Sequence, residues 1–421
     1  MMRDVLNPPT TTVDFNDWYR RNRERSTMLF DMVDKDAYAS RPIPLRHPVL
    51  FYEGHLPAFS FITLARDTMG MKSVDPEFER LFQRGIDPAD AKAAAAATRS
   101  SWPERDEILA FGRACDEAIA ECLRQAQTAP ADSRAVQAAY TILEHEQMHH
   151  ETLLYIYHRI PLHQKRKPAN GNAPLDGAEP PHDVVRVDAG VATLGAKRNG
   201  IPFGWDNEFE EQRIDVPAFS VDAHSVTNAD YLEFVKAGGP PPPFWVQRGD
   251  EWRVLGMFEE VPLRRSWPAY VTRDQAVEYA KWQNARLMTE PEYHRAAFGT
   301  PQGDERALPW GDAPPSGELG TFDWQTWDPE PAGTHPEGAS AWGVHDLIGN
   351  GWEWTATTFG PLPGFEPMVT YPQYSADFFD DLHFVVKGGS PVTSRELVRR
   401  SLRNWYRSAY PYVYAKFRCV R

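Results

Sequence analysis

The sequence predicts an α+β chain of two domains, a helical bundle followed by a mixed domain with little regular structure. Two observations carry this. Up to His158, apolar residues recur at helix-compatible spacings in four long runs. Beyond a stretch rich in Pro, Gly and Lys, Pro161 to Asp183, the helical period gives way to short alternating strands and to long loops of Trp, Gly and Pro. The expected division is 1–162 for the bundle, 163–183 for a linker and 184–421 for the second domain.

The first helix is expected from Val13 to Val33, after Thr10-Thr11-Thr12 as a cap, with Phe15, Trp18, Tyr19, Leu29 and Phe30 on its apolar side. Arg41 to Pro48 cannot be helical, because three prolines interrupt it. A second helix runs from about Val49 to Met69, although Gly54 and Pro57 argue against regularity. A third spans Pro103 to Gln127 with Ile108, Phe111, Cys115, Ile119 and Cys122 on one stripe, and a fourth spans Ser133 to His158. In the second domain, Val184–Leu194 and Glu211–Val221 read as strands. Thr227–Ala237, Thr272–Asn284 and Glu290–Phe298 read as helices.

Composition excludes several classes of function. Apolar residues make up 42% and aromatic residues 12%, enough for packed cores rather than disorder. The 45 basic and 59 acidic residues leave a charge of −14, which argues against nucleic acid and anionic membrane partners. No run reaches the ~18 apolar residues of a membrane span. The three cysteines, Cys115, Cys122 and Cys419, are too few and too scattered for a disulfide framework, so a cytoplasmic location is expected.

The fourth helix carries Glu144-His145-Glu146-Gln147-Met148-His149-His150-Glu151. Residues four apart on a helix differ by only about 40° in direction, so His145 and His149 can meet one metal ion. His150 lies about 100° further round than His149 and Glu151 about 240° from His145, so neither joins them. Paired imidazoles suit Zn, Fe, Cu or Ni. A polar helix edge that happens to hold histidines is the competing reading, since two ligands do not make a site. For a third ligand, His47 sits in the proline-rich loop, where a surface role is expected. His55 sits among apolar residues, where a hydrogen-bonded core histidine is the alternative to a ligand.

The C-terminal segment resembles the sulfatase-modifying-factor (formylglycine-generating-enzyme-like) family. The resemblance rests on ordered blocks: Val226-Thr227-Asn228-Ala229-Asp230-Tyr231, Arg286-Leu287-Met288-Thr289-Glu290-Pro291-Glu292-Tyr293, Leu308-Pro309-Trp310-Gly311, the run from Gly343 to Thr355, Val386-Lys387-Gly388-Gly389-Ser390, Ser401-Leu402-Arg403-Asn404-Trp405-Tyr406 and Lys416-Phe417-Arg418-Cys419. Formylglycine generation itself is not expected, because that chemistry uses a cysteine pair and only Cys419 is present here. The bundle resembles the DinB-like family, with one histidine early and HxxxHxE late. Together, in this order, the two resemble the ergothioneine-type sulfoxide synthases, non-haem iron enzymes that attach sulfur to the imidazole of hercynine (trimethylhistidine).

That resemblance implies Fe(II) held by His55, His145 and His149, and O2 as co-substrate. Hercynine would be held by Asn404, Trp405 and Tyr371, whose aromatic rings suit a trimethylammonium group. Trp352, Glu353 and Trp354 are read as structural. Members that use γ-glutamylcysteine carry an acidic residue after Asn-Trp and a basic one a few positions on. Tyr406 and Tyr410 stand there instead. Met368 replaces a tyrosine that donates a proton, and Met148 a glutamine before the second histidine. The rebuilt donor end implies a different chalcogen source, a selenosugar, as in the selenoneine synthases of the same superfamily. Tyr406 and Tyr410 would offer it hydroxyls and ring faces. No catalytic residue is assigned, and Tyr406 is the candidate. Three readings stand against this one: a sulfoxide synthase using cysteine or γ-glutamylcysteine, a zinc-dependent DinB-like thiol S-transferase, and a non-catalytic ligand-binding protein.

Overall fold

Asp14 opens the first helix, its side chain accepting a hydrogen bond from the Asp17 amide at 3.0 Å. The computed structural model describes residues 13–83, 102–168 and 175–421, so the Thr10–Thr12 cap and residues 169–174 of the linker lie outside the described residues. The chain divides into two compact units, the first helical and the second mixed.

In the helical unit, α1 (Phe15–Asp31), α3 (Val49–Ser60), α5 (Arg105–Gln127) and α6 (Arg134–His158) pack on one another. Two short helices join them: α2 (Lys35–Ala39) and α4 (Pro76–Phe82). α4 begins at Asp75, whose side chain accepts from the amides of Glu77 and Phe78, with Pro76 in the first turn. α1 is amphipathic, but every residue of α3 is buried. The second expected helix therefore has no polar face, and it is irregular as Gly54 and Pro57 suggest. Pro57 removes one rung, and beyond Ser60 the chain widens into π-helical turns, Phe61–Arg66. Gly54 admits the Phe82 ring, which a Cβ would meet at 2.6 Å.

In the mixed unit each of the two expected strands is interrupted and serves two sheets. β1 (Val184–Val187) pairs with β4 (Phe219–Asp222), whereas β2 (Gly190–Leu194) pairs with β3 (Gln212–Val216). Pro217, which has no N–H to give, falls at the break between β3 and β4. β5 (Trp245–Arg248), β6 (Glu251–Leu255) and β7 (Glu260–Pro262) form a meander. β8 (Arg286–Leu287) and β13 (Cys419–Val420) complete the sheet β1-β4-β13-β8. β9 (Trp352–Thr358), β10 (His383–Lys387), β11 (Asn404–Arg407) and β12 (Ala415–Lys416) form a second sheet with β11 at its edge. The three helical patches form as α7 (Asn228–Lys236), α8 (Arg273–Trp282) and α9 (Glu290–Phe298). Each is opened by a threonine and a side chain three residues on that cap one another.

Loops dominate the rest of this unit, and buried charge fixes them. Glu353, on β9, takes Arg418 through both oxygens at 3.0 and 3.2 Å. Arg418 also donates to the carbonyls of Ala223 and His345, and Lys416 to those of Gly349 and Gly351. The Gly343–Thr355 block is thereby bound to the chain end. Gly388 lies at φ +94°, with the Leu347 carbonyl 2.3 Å from where a Cβ would stand.

Replacing Glu353 by Ala would leave Arg418 and Lys416, both fully buried, without their carboxylate. A loss of ~3–5 kcal/mol is expected, read from the urea midpoint of the C-terminal unit. An unchanged midpoint would remove this network from the account of the fold.

Candidate metal centre

In the helical unit, α3 and α6 are each buried around most of their circumference, and they carry the three histidines. One potential ligand atom from each of His55, His145 and His149 lies within 4.8 Å of the others. Ring centroids are 5.3 Å apart for His55 and His145, 5.0 Å for His55 and His149, and 4.4 Å for His145 and His149. Among the described residues this is the one such cluster of three.

The surroundings are aromatic. Phe59 stacks on His145 at 3.5 Å and 11°, Phe51 on His55 at 5.2 Å and 17°, and Tyr52 lies 5.6 Å from His149. Burial drives the His55 imidazole down to about 4, against the opposing pull of the Phe82 carbonyl. Burial also holds His145 and His149 well below the usual histidine range. All three rings are therefore neutral and have lone pairs to give. His55 Nδ1 donates to the Phe82 carbonyl at 2.7 Å, which leaves Nε2 as its acceptor nitrogen. His149 Nδ1 is buried with no hydrogen-bond partner. A neutral three-imidazole set with an orphaned ring nitrogen fits a divalent first-row metal.

Each histidine-bearing helix is also fixed in roll by a buried carboxylate. Glu53, two residues before His55, receives Tyr38 and both Nε and Nη2 of Arg105. Glu146, next to His145, receives Arg23 at 2.8 Å and Ser26 at 2.6 Å, and Asn22 reaches the Leu143 carbonyl. His150 turns away to Ser26 Oγ at 2.8 Å, and Glu151 takes the Tyr155 hydroxyl, as the helical angles require. His47 stacks on Phe51 at 4.1 Å and is outside the cluster.

Every other candidate residue lies in the mixed unit. Alternation along the edge strand β11 puts Asn404 and Tyr406 on one side and Trp405 on the other. Asn404 Nδ2 donates to the Tyr406 hydroxyl at 3.3 Å, and the Tyr406 and Tyr410 rings stack at 5.7 Å and 7°. Trp405 stacks on Phe359 at 4.1 Å and meets Tyr374 edge-on at 5.3 Å. Tyr371 reaches that group through Tyr374, 5.8 Å away, and its amide donates to the Met368 carbonyl. The sequence reading passed over Phe59, the Phe82 carbonyl and Tyr374. Ring contacts and backbone acceptors leave no motif at fixed spacing.

Gly54→Ala would drive a methyl into the Phe82 ring, which is packed by Phe51, Phe78 and Phe111. The expected outcome is ~1–3 kcal/mol of lost stability, together with weaker metal uptake in a direct titration, because the Phe82 carbonyl orients His55. Full uptake by this variant would show that the orientation is fixed elsewhere.

Residues 19–153 match the DinB superfamily, and residues 171–421 match the sulfatase-modifying factor enzyme 1-like domain. Hercynine oxygenase of Mycolicibacterium smegmatis is 30% identical over 416 residues, covering 91% of this chain and 92% of its own. Ergothioneine biosynthesis protein 1 of Schizosaccharomyces pombe is 29% identical, over 93% of this chain and 54% of its own length. The formylglycine-generating enzyme of Mycobacterium tuberculosis is 30% identical over 52% of this chain and 89% of its own. The chain belongs to the hercynine oxygenase family of ergothioneine-type sulfoxide synthases, which joins a DinB-like helical domain to a sulfatase-modifying-factor-like domain.

Proposed function

We propose that this protein is a non-haem Fe(II), O2-dependent enzyme that forms a carbon–chalcogen bond on the imidazole ring of hercynine. The neutral cluster of His55, His145 and His149 carries this reading. Membership of the hercynine oxygenase family supports it. Iron bound there would leave up to three positions of an octahedron open and would supply O2 activation.

The chain's own residues bind and orient. Trp405 and Tyr371 offer ring faces to the trimethylammonium group, each contact worth ~0.5–2 kcal/mol, and Asn404 offers an amide. Tyr406 and Tyr410 take the donor, and Tyr406 is the candidate for moving a proton there. Their stacked rings and hydroxyls suit a neutral, polyhydroxylated selenosugar better than a charged γ-glutamylcysteine. With a selenol donor, the ring C–H and the Se–H are lost, one oxygen atom of O2 ends on selenium and the other leaves as water. The four electrons O2 accepts come from bond formation and from oxidation of the chalcogen. A thiol donor balances in the same way. The names of the relatives favour this second, sulfur-using reading. The three cysteines are free and buried, which supports a reducing, cytoplasmic setting. No helix among the described residues is long and apolar enough to cross a membrane.

The test is anaerobically Fe(II)-loaded protein given hercynine and O2, with a selenosugar, cysteine and γ-glutamylcysteine in separate reactions read by mass spectrometry. A hercynine–selenium adduct that His145→Ala abolishes is expected. Adducts with thiols alone would keep the reaction and overturn the donor. Thiol transfer by zinc-loaded protein without O2 would overturn both.

A further inference from the structure

Trp205-Asp206-Asn207-Glu208 has no part in the reading above, yet it is fully buried and forms a single 3-10 turn over its last three residues. Its side chains reach a segment more than 160 residues away. Asp206 accepts the Met368 amide at 3.4 Å through one oxygen and the Ser375 hydroxyl through the other. Asn207 Nδ2 donates to the same Ser375 oxygen at 2.9 Å. Between the two anchored ends lie Tyr371 and Tyr374. The Trp205 ring stacks on Tyr374 at 4.0 Å and 26°, and Tyr374 in turn meets Trp405 edge-on.

The segment from Met368 to Ser375 has no helix or strand of its own, and a 3-10 turn begins just beyond it at Ala376. A carboxylate holding both ends of such a loop replaces the ladder it lacks. We infer that Asp206, with Ser375, is a positioning residue for hercynine recognition: it latches the 368–375 segment so that Tyr371 and Tyr374 stand beside Trp405. This rests on the proposed function. It also has a direction, because the latch serves the Trp405 side of β11, whereas Asn404, Tyr406 and Tyr410 lie on the other, so the latch acts on the aromatic part of the hercynine site and not on Asn404.

The experiment compares Asp206→Asn, Ser375→Ala and Ser375→Thr with the wild-type protein. The asparagine keeps the shape and loses one of two acceptors, and the threonine keeps the hydroxyl. In Asp206→Asn and Ser375→Ala, KM and calorimetric Kd for hercynine are expected to rise at least tenfold. KM for the chalcogen donor should stay within twofold, and Fe(II) stoichiometry should be unchanged. Amide exchange over 368–375 should accelerate at least tenfold, and Ser375→Thr should restore most of the affinity. Both KM values rising together with a fall in thermal midpoint would make the residues merely structural and overturn the inference. So would unchanged hercynine affinity, or unchanged exchange. If Asp206→Asn does not fold, the two Ser375 variants decide alone. Wild-type protein that binds no hercynine overturns the functional reading instead, and exchange in the variants then decides whether the latch exists.

Discussion

The exclusion of water from around three imidazoles is the constraint on which the rest of the helical unit depends. Histidines packed against Phe51, Phe59 and Tyr52 lose hydration that would stabilise a proton. Such rings can be buried only neutral, and a neutral ring with an unmatched nitrogen is costly unless something accepts its lone pair or takes its proton. The structure answers that cost at His55 with the Phe82 carbonyl. At the centre of the cluster the same cost favours a metal ion. Aromatic packing thus contributes to stability and also keeps the ligands in the protonation state that metal binding requires.

Such a cluster tolerates little rotation. A ligand on a helix moves with the roll of that helix, and neither α3 nor α6 has a polar side to fix its roll by contact with water. Buried carboxylates do this instead. Glu53 is held from α2 and α5, and Glu146 from α1, so the two anchors tie α1, α2, α3, α5 and α6 together. Placing charge there would be unfavourable without partners. Each carboxylate has at least two, which makes the anchoring directional as well as stable.

How far the site was legible in the sequence follows from the same physics. The i, i+4 relation of His145 and His149 is a property of one helix, so four residues of sequence suffice. The choice between His47 and His55 is tertiary, and only the resemblance resolved it in favour of His55. α3 was hard to delimit because a helix buried all round has no hydrophobic period to read, and its fit to Phe82 at Gly54 involves a residue 28 positions away. α4 was legible and was missed: Asp75-Pro76-Glu77 carries the acceptor, the proline and the acidic first turn of a helix start. Pro217 likewise marked the point at which one apparent strand becomes two. Asp206 was not legible, since its partners are an amide and a hydroxyl with no periodic signature.

The mixed unit separates the contacts that fix the fold from the residues proposed to meet substrate. Arg403, immediately before β11, is buried and bound to Glu290 through two nitrogens and to the carbonyls of Asn207 and Gly360. Lys387 on β10 donates to the Arg400 and Leu402 carbonyls beside it. The strand is therefore fixed at its start by interactions that would cost several kcal/mol to break. Asn404, Trp405 and Tyr406 follow, half-buried, on β11, the edge strand of its sheet. On the proposed function, a substitution there alters the shape and charge offered to a ligand while the anchors behind it stay paired. Tyr406 and Tyr410 are only half-buried, so an acidic or basic residue there would carry less desolvation cost than one in the core. Trp405 differs from them, because its ring packs against Phe359, Tyr374 and Phe378, so its replacement would also cost packing energy.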